Sequence, residues 1–95
     1  MAHRERLKEL LKTKSLKIGD FLLASGRRSK YYFDSKLTTL TSEGARVTAS
    51  CFLEVIGREG IQADAIGGMT LGADPIVAAV AALSHGGPTP LDAFI

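Results

Sequence analysis

Two stretches of the sequence hold residue types whose spacing suits chemistry. The first, "DAIGGMTLGADPI", runs from Asp64 to Ile76 and sets Gly67, Gly68, Gly72 and Pro75 between an apolar run and an alanine-rich one. A glycine-rich turn at the end of a strand and the start of a helix can hold an anion on its backbone N–H groups, with no lysine needed. It is neither the Gly-Lys-Ser/Thr phosphate loop nor G-x-G-x-x-G. As a bare pattern it is weak, and a plain strand-to-helix turn explains it as well. Asp74 argues mildly against an anion at the helix end, because its carboxylate is expected to cap the helix.

The second stretch, "SGRRSKYYFD", spans Ser25 to Asp34. Its aromatics, beside a basic turn, could stack on a flat heterocycle, and Arg27, Arg28 and Lys30 could meet a carboxylate or phosphate. Strand alternation puts Tyr31 and Phe33 on one face and Tyr32 on the other. On pattern alone the plainer reading is favoured: a hairpin whose aromatics fill the core.

Little else suggests chemistry. No Ser-His-Asp or Cys-His arrangement is evident, and Asp34, Asp64 and Asp92 are dispersed acids that read as structural. His3 and His85 have no partner at metal-ligand spacing. The small residues from Ala78 to Ala82 permit close packing, and core packing is the preferred reading.

The elements that would position these residues follow from periodicity. Leu7, Leu10 and Leu11 predict a short amphipathic helix over 2–13. Strands over 17–24 and 30–34 follow, joined by a turn containing Ser25 and Gly26. Thr41 is placed to cap a helix over 42–59 that buries Ala45, Ala49, Phe52, Leu53 and Ile56, with Gly60 ending it. A strand over 63–67 leads to a second helix, with Asp74 as its N-cap and Pro75 at its first position, ending near Ser84. "LDAFI" reads as another strand. Helix, strand, helix, strand in that order predicts an α/β fold with a parallel sheet.

Composition excludes several classes. With 95 residues there is room for one domain at most, and 45% hydrophobic with 23% charged residues is globular in character. A net charge of +2 is too mild for a nucleic-acid surface. Lys and Arg all lie at or before Arg58. The lone Cys51 can form no internal disulfide, which points to a reducing cytoplasmic compartment. No apolar run has signal-peptide or membrane-span length, so no membrane association is expected.

Taken together, "GDFLLASGRRSKYYFD", "IGGMTLGADPIVAAVA" and "PLDAFI" resemble, in order, the N-terminal half of the orotate phosphoribosyltransferase family. The resemblance covers nearly the whole chain. It implies an incomplete type I phosphoribosyltransferase fold: an N-terminal helix and hood β-hairpin over 1–40, then the first helix-strand-helix-strand part of a parallel sheet over 41–95. It implies transfer of the phosphoribosyl group of 5-phosphoribosyl 1-pyrophosphate (PRPP) to orotate, giving orotidine 5′-monophosphate in UMP biosynthesis. The family is cytoplasmic and homodimeric, and it uses Mg²⁺ bound mainly through PRPP. By position, Tyr32 and Phe33 with the Ser25–Gly26 turn would border orotate. Gly67, Gly68, Met69, Thr70, Leu71 and Gly72 would hold the pyrophosphate.

The chain also departs from that pattern. Ala24 stands where some members carry lysine, and Leu71 lies near another lysine position, so backbone contacts would do more of the binding. The family's basic catalytic loop and paired PRPP-binding acids are not in these residues. The expectation is therefore an N-terminal portion that is inactive alone, with no catalytic or metal residue of its own. The alternatives are another purine or pyrimidine phosphoribosyltransferase, or a non-catalytic nucleotide sensor or RNA-binding regulator on the same fold.

Overall fold

The computed structural model describes residues 2–95, so Met1, the first residue of the N-terminal segment, lies outside the described residues. Helix α1 covers Ala2–Leu10 and runs into a π-helical turn at Leu11–Ser15, where the Leu16 amide donates to the Leu11 carbonyl. The expected helix over 2–13 thus loses its α geometry after Leu10. Thr13 contributes, because its hydroxyl donates to the Glu9 carbonyl (2.9 Å) and competes with regular backbone pairing. Ion pairs fasten α1 to the next long helix. Arg6 grips both carboxylate oxygens of Glu43 at 2.8 Å, and His3 bonds Glu54.

Strands β1 (Leu16–Leu22) and β2 (Arg28–Phe33) form an antiparallel hairpin with Leu16 opposite Phe33 and Leu22 opposite Arg28. The pairing shifts register between Ile18 and Phe21, a bulge on β1. The turn is as long as expected but lies two residues earlier, at 23–27. Arg28 and Ser29 belong to β2, while Leu23 and Ala24 leave β1, and Gly26 takes φ 85°. The Leu23 amide closes the turn onto the Arg27 carbonyl at 2.8 Å.

The hairpin's base is fixed by a buried polar joint. Ser15 and Thr38, both fully buried, pair through their hydroxyls at 2.5 Å, and the Asp34 amide donates to the Ser15 carbonyl at 3.0 Å. Thr38 sits on α2 (Lys36–Thr39), a short helix that the sequence reading did not foresee. An Asx-type contact starts it: Asp34 Oδ1 accepts from the Lys36 amide at 3.1 Å.

Helix α3 (Ser42–Arg58) begins as predicted, with Thr41 Oγ1 accepting from the Gly44 amide at 3.0 Å. Gly44 has a specific reason: a Cβ there would overlap the Thr38 carbonyl oxygen. Gly60 takes φ 63° just past the helix end, as expected. The predicted buried face needs correction at Phe52, which is exposed. Val47 and Thr48 are buried instead, because α3 packs against α1 and α2 as well as α4.

Strands β3 (Ala65–Gly67) and β4 (Asp92–Phe94) pair in parallel, Ala65 opposite Asp92 and Gly67 opposite Phe94, with α4 (Asp74–Ser84) crossing between them. The predicted parallel α/β arrangement is therefore present. Ser84 closes the crossover by accepting from the Leu91 amide at 2.9 Å. Ala49, Val80 and Leu91 form the core, flanked by Leu53, Ile56, Ile66, Ile76 and Leu83. The hairpin forms a separate sheet and packs chiefly on itself and the π turn. A radius of gyration of 15.0 Å reflects this projection, since a compact chain of similar length measures about 13 Å.

Candidate functional site

The Gly67–Gly72 loop leaves the carboxyl end of β3 and enters the amino end of α4, the crevice where open parallel sheets gather ligands. Internal hydrogen bonds shape its exit. The Ala73 amide donates to the Met69 carbonyl (2.9 Å) and the Asp74 amide to the Leu71 carbonyl (3.1 Å). Among the described residues, no hydrogen bond is donated by the amides of Met69, Thr70, Leu71 or Gly72. These donors are available to an outside acceptor, and exposed backbone amides beside a helix N-terminus favour an anion. The side chains of Met69 and Leu71 are exposed, and the Thr70–Leu71 peptide is cis.

Asp74 does not hold the predicted N-cap position. Ala73 occupies it without a side-chain cap bond, and Asp74 is the first helical residue. Thr70 Oγ1 donates to Asp74 Oδ2, while Oδ1 is buried without a partner. The carboxylate therefore braces the loop from its own side chain, with Thr70 competing for the oxygen that a cap would use.

The three loop glycines differ in what surrounds them. A Cβ at Gly67 would run into the Phe94 ring, and one at Gly68 would lie 2.6 Å from the Ala73 Cβ. At Gly72 nothing lies within 4 Å. Gly67 and Gly68 let the protein pack on itself. Gly72 alone leaves open space beside the backbone.

The hairpin presents side chains instead. Tyr31, Tyr32 and Phe33 are 58%, 44% and 54% exposed, so the expectation that these aromatics fill the core is overturned among the described residues. Cross-strand pairing sets Phe33 against Leu16, Tyr31 against Ile18 and Tyr32 against Lys17, which keeps the predicted alternation. The tip holds Ser25, whose Oγ accepts from the Arg27 amide at 3.4 Å, and Gly26; both are exposed, as is Ala24.

Charge around the hairpin is cationic and partly unpaired. Arg28 bonds Asp20 at 3.1 Å and Lys36 bonds Asp34 at 3.2 Å. The Lys36 ammonium and amide hold the Asp34 carboxyl below its ordinary range. No ion pair among the described residues uses Lys17, Arg27 or Lys30. The residue that sequence reasoning passed over is Phe21, whose ring meets Tyr32 at a centroid distance of 5.6 Å and 36° between planes. The bulge lies between the pairs Ile18–Tyr31 and Phe21–Ser29, and pairing alone does not set the two rings together.

Hairpin and loop are carried on separate sheets. Neither lines the larger depressions, of about 340 Å³ beside Ala45 and Ala82 and about 260 Å³ beside Gly87 and Thr89. Among the described residues no three His, Cys, Asp or Glu side chains are placed to hold a metal ion. The donor set therefore does not fit a metal held by these side chains. No helix among the described residues is long and apolar enough to cross a membrane.

Comparison with known proteins supplies the context for this geometry. No protein-family model matches the chain. The orotate phosphoribosyltransferase of a Synechocystis strain is 44% identical over 97% of this chain and 45% of its own length. That of Aquifex aeolicus is 40% identical over 100% of this chain and 52% of its own. Among solved structures, Mycobacterium tuberculosis orotate phosphoribosyltransferase with inorganic phosphate matches at TM-score 0.84 and 32% identity, over 99% of this chain and 53% of that one. The same enzyme in complex with PRPP matches at TM-score 0.77, over 97% of this chain and 51% of that one. The chain spans about half the length of the curated relatives it matches. In sequence and in fold, the chain is similar to orotate phosphoribosyltransferases over about half of their length.

Proposed function

We propose that the chain carries two parts of an orotate phosphoribosyltransferase site: the side that receives orotate and the side that holds the pyrophosphate of PRPP. The observation that carries this reading is the match, along nearly all of the chain, to an orotate phosphoribosyltransferase solved with PRPP. Helix and hood hairpin over 1–40 form the orotate side, and 41–95 form the first part of the core. Tyr32 and Phe33 border the flat ring beside the Ser25–Gly26 tip, and the unpaired Lys17, Arg27 and Lys30 draw in its carboxylate.

Gly67, Gly68, Met69, Thr70, Leu71 and Gly72 form the cradle for the pyrophosphate. Free amides from Met69 to Gly72 donate to its oxygens, with the α4 dipole behind them. As the bond to ribose C1 breaks, negative charge grows on the departing pyrophosphate. Fixed amides stabilise such charge without having to reorient. Neither Ala24 nor Leu71 supplies a cation, so backbone carries the load. Any magnesium would be carried by PRPP itself and help neutralise its charge; the proposed setting is a cytoplasmic homodimer in pyrimidine nucleotide synthesis. Catalysis draws on the rest of the length that the relatives possess.

Calorimetric titration tests the reading. Pyrophosphate and PRPP should bind the chain, and Gly72→Val should weaken both. Orotate, but neither uracil nor hypoxanthine, should perturb the hairpin. Turnover of orotate with PRPP and Mg²⁺ is not expected from this chain by itself. Binding of PRPP that is indifferent to Gly72→Val would sink the loop assignment.

A further inference from the structure

We propose that Phe21 is a positioning residue for Tyr32, and that Gly19 makes this possible. The inference rests on the reading of Tyr32 as part of the orotate face. Phe21 is paired in register with Ser29, the first paired position after the bulge that follows Ile18. A bulge re-aims the side chain beside it. Here the Phe21 ring is turned back along β1, so that a Cβ on Gly19 would stand 3.2 Å from its Cε2 and Cζ. From that position the ring meets Tyr32 at 5.6 Å, tilted by 36°. The separation lies within the range of attractive aromatic pairs.

The Phe21 ring thus lies beside Gly19 and against Tyr32, and the missing Cβ leaves room for it. Tyr32 is 44% exposed, and its cross-strand neighbour is Lys17, a flexible side chain. Phe21 is the one aromatic ring in contact with it among the described residues. A half-exposed tyrosine with no such neighbour would sample several rotamers, and a ligand stacking on it would have to order it first. Phe21 removes that requirement and fixes the plane offered to a flat ring. The role is specificity for the base, exerted through Tyr32 and not by contact with the reacting atoms.

The test is a titration of the chain, labelled with ¹³C-tyrosine, with sodium orotate. Tyr32 ring resonances and orotate Kd are followed by NMR, and pyrophosphate Kd serves as the control. Phe21→Ala should move the free-protein Tyr32 ring resonances toward rotamer-averaged positions and raise orotate Kd about fivefold, while pyrophosphate Kd stays within about twofold. Phe21→Tyr should restore both readouts. Gly19→Ala, which crowds the ring without removing it, should raise orotate Kd about twofold and add nothing in the double variant with Phe21→Ala. Unchanged Tyr32 resonances and orotate Kd in Phe21→Ala would overturn the positioning role while leaving the orotate face intact. An equal loss of pyrophosphate affinity would overturn it as well, since the substitution would then act on the whole fold. Absence of any orotate-dependent shift at Tyr31, Tyr32 and Phe33 in the unaltered chain would remove the orotate reading, and this inference with it.

Discussion

The hairpin and the glycine loop solve opposite problems. The hairpin offers side chains: three exposed aromatics and, among the described residues, three cations in no ion pair, carried on strands and turn and fixed at the base. The loop offers backbone: amides without internal partners, next to a helix whose core-facing residues Val77 and Val80 are buried. Recognition of a flat ring needs shaped surface, which side chains supply. Recognition of a compact anion needs several donors at short range, which the backbone supplies with no side chain to order. In the hairpin, then, function resides in residue identity. In the loop it resides in what is left out.

The comparison breaks most visibly at Gly44, which stands beneath the hairpin's anchor. Gly44→Val forces a side chain into the Thr38 carbonyl and should lower stability by about 3 kcal/mol in urea unfolding. Retained stability would mean that the joint between α2 and α3 yields. Next in size is the contrast within the loop. Gly72→Val should reduce pyrophosphate affinity about tenfold, near 1.4 kcal/mol, with an unchanged melting temperature. Gly68→Val should lower affinity and melting temperature together, because Ala73 is in the way. Equal behaviour of the two variants would erase the distinction between packing glycine and binding glycine.

Ser15→Ala probes the anchor more gently. Thr38 keeps its bond to the Leu10 carbonyl at 3.3 Å, so about 1 kcal/mol should be lost, with faster amide exchange in β1 and β2 and none in β3. Uniform exchange across both sheets would show that they unfold as one. The smallest effect concerns α1. The Arg6 guanidinium holds the Glu43 carboxyl below its ordinary value. A depressed carboxyl stabilises the fold above its unfolded pKa, near 4.5, and that contribution fades as pH falls through the depressed value. Both groups are exposed, so the acid limb of the stability curve should move only slightly in Arg6→Gln. A large move would reveal that α1 supports more of the fold than its surface ion pairs indicate.

Much of the core was legible because it rests on local rules. Thr41 capping α3, Gly60 ending it and the alternation of helix and strand need only neighbours in sequence. The bulge in β1 did not announce itself, since it depends on how two strands settle against each other. Phe21 was therefore invisible as a partner of Tyr32. Asp74 is a cap by residue type, but the helix starts one residue earlier than that reading needs, with Ala73 at the cap position and Asp74 already helical. Phe52 was assigned inward by helical spacing, which gives a stripe but cannot say how many neighbours a helix has. The loop glycines were found by spacing, yet only the positions of Phe94 and Ala73 separate Gly72 from the other two.

The placement of Tyr31 and Tyr32 has an optical consequence. They are the chain's two tyrosines and it has no tryptophan, so absorption near 280 nm and the emission that follows come from one strand of the hairpin. Side by side on β2, they look out from its two faces. The molecule therefore carries its own chromophore in the region where the flat ring is proposed to dock. Near-ultraviolet circular dichroism of the unlabelled chain would report the order of both faces and be blind to the loop.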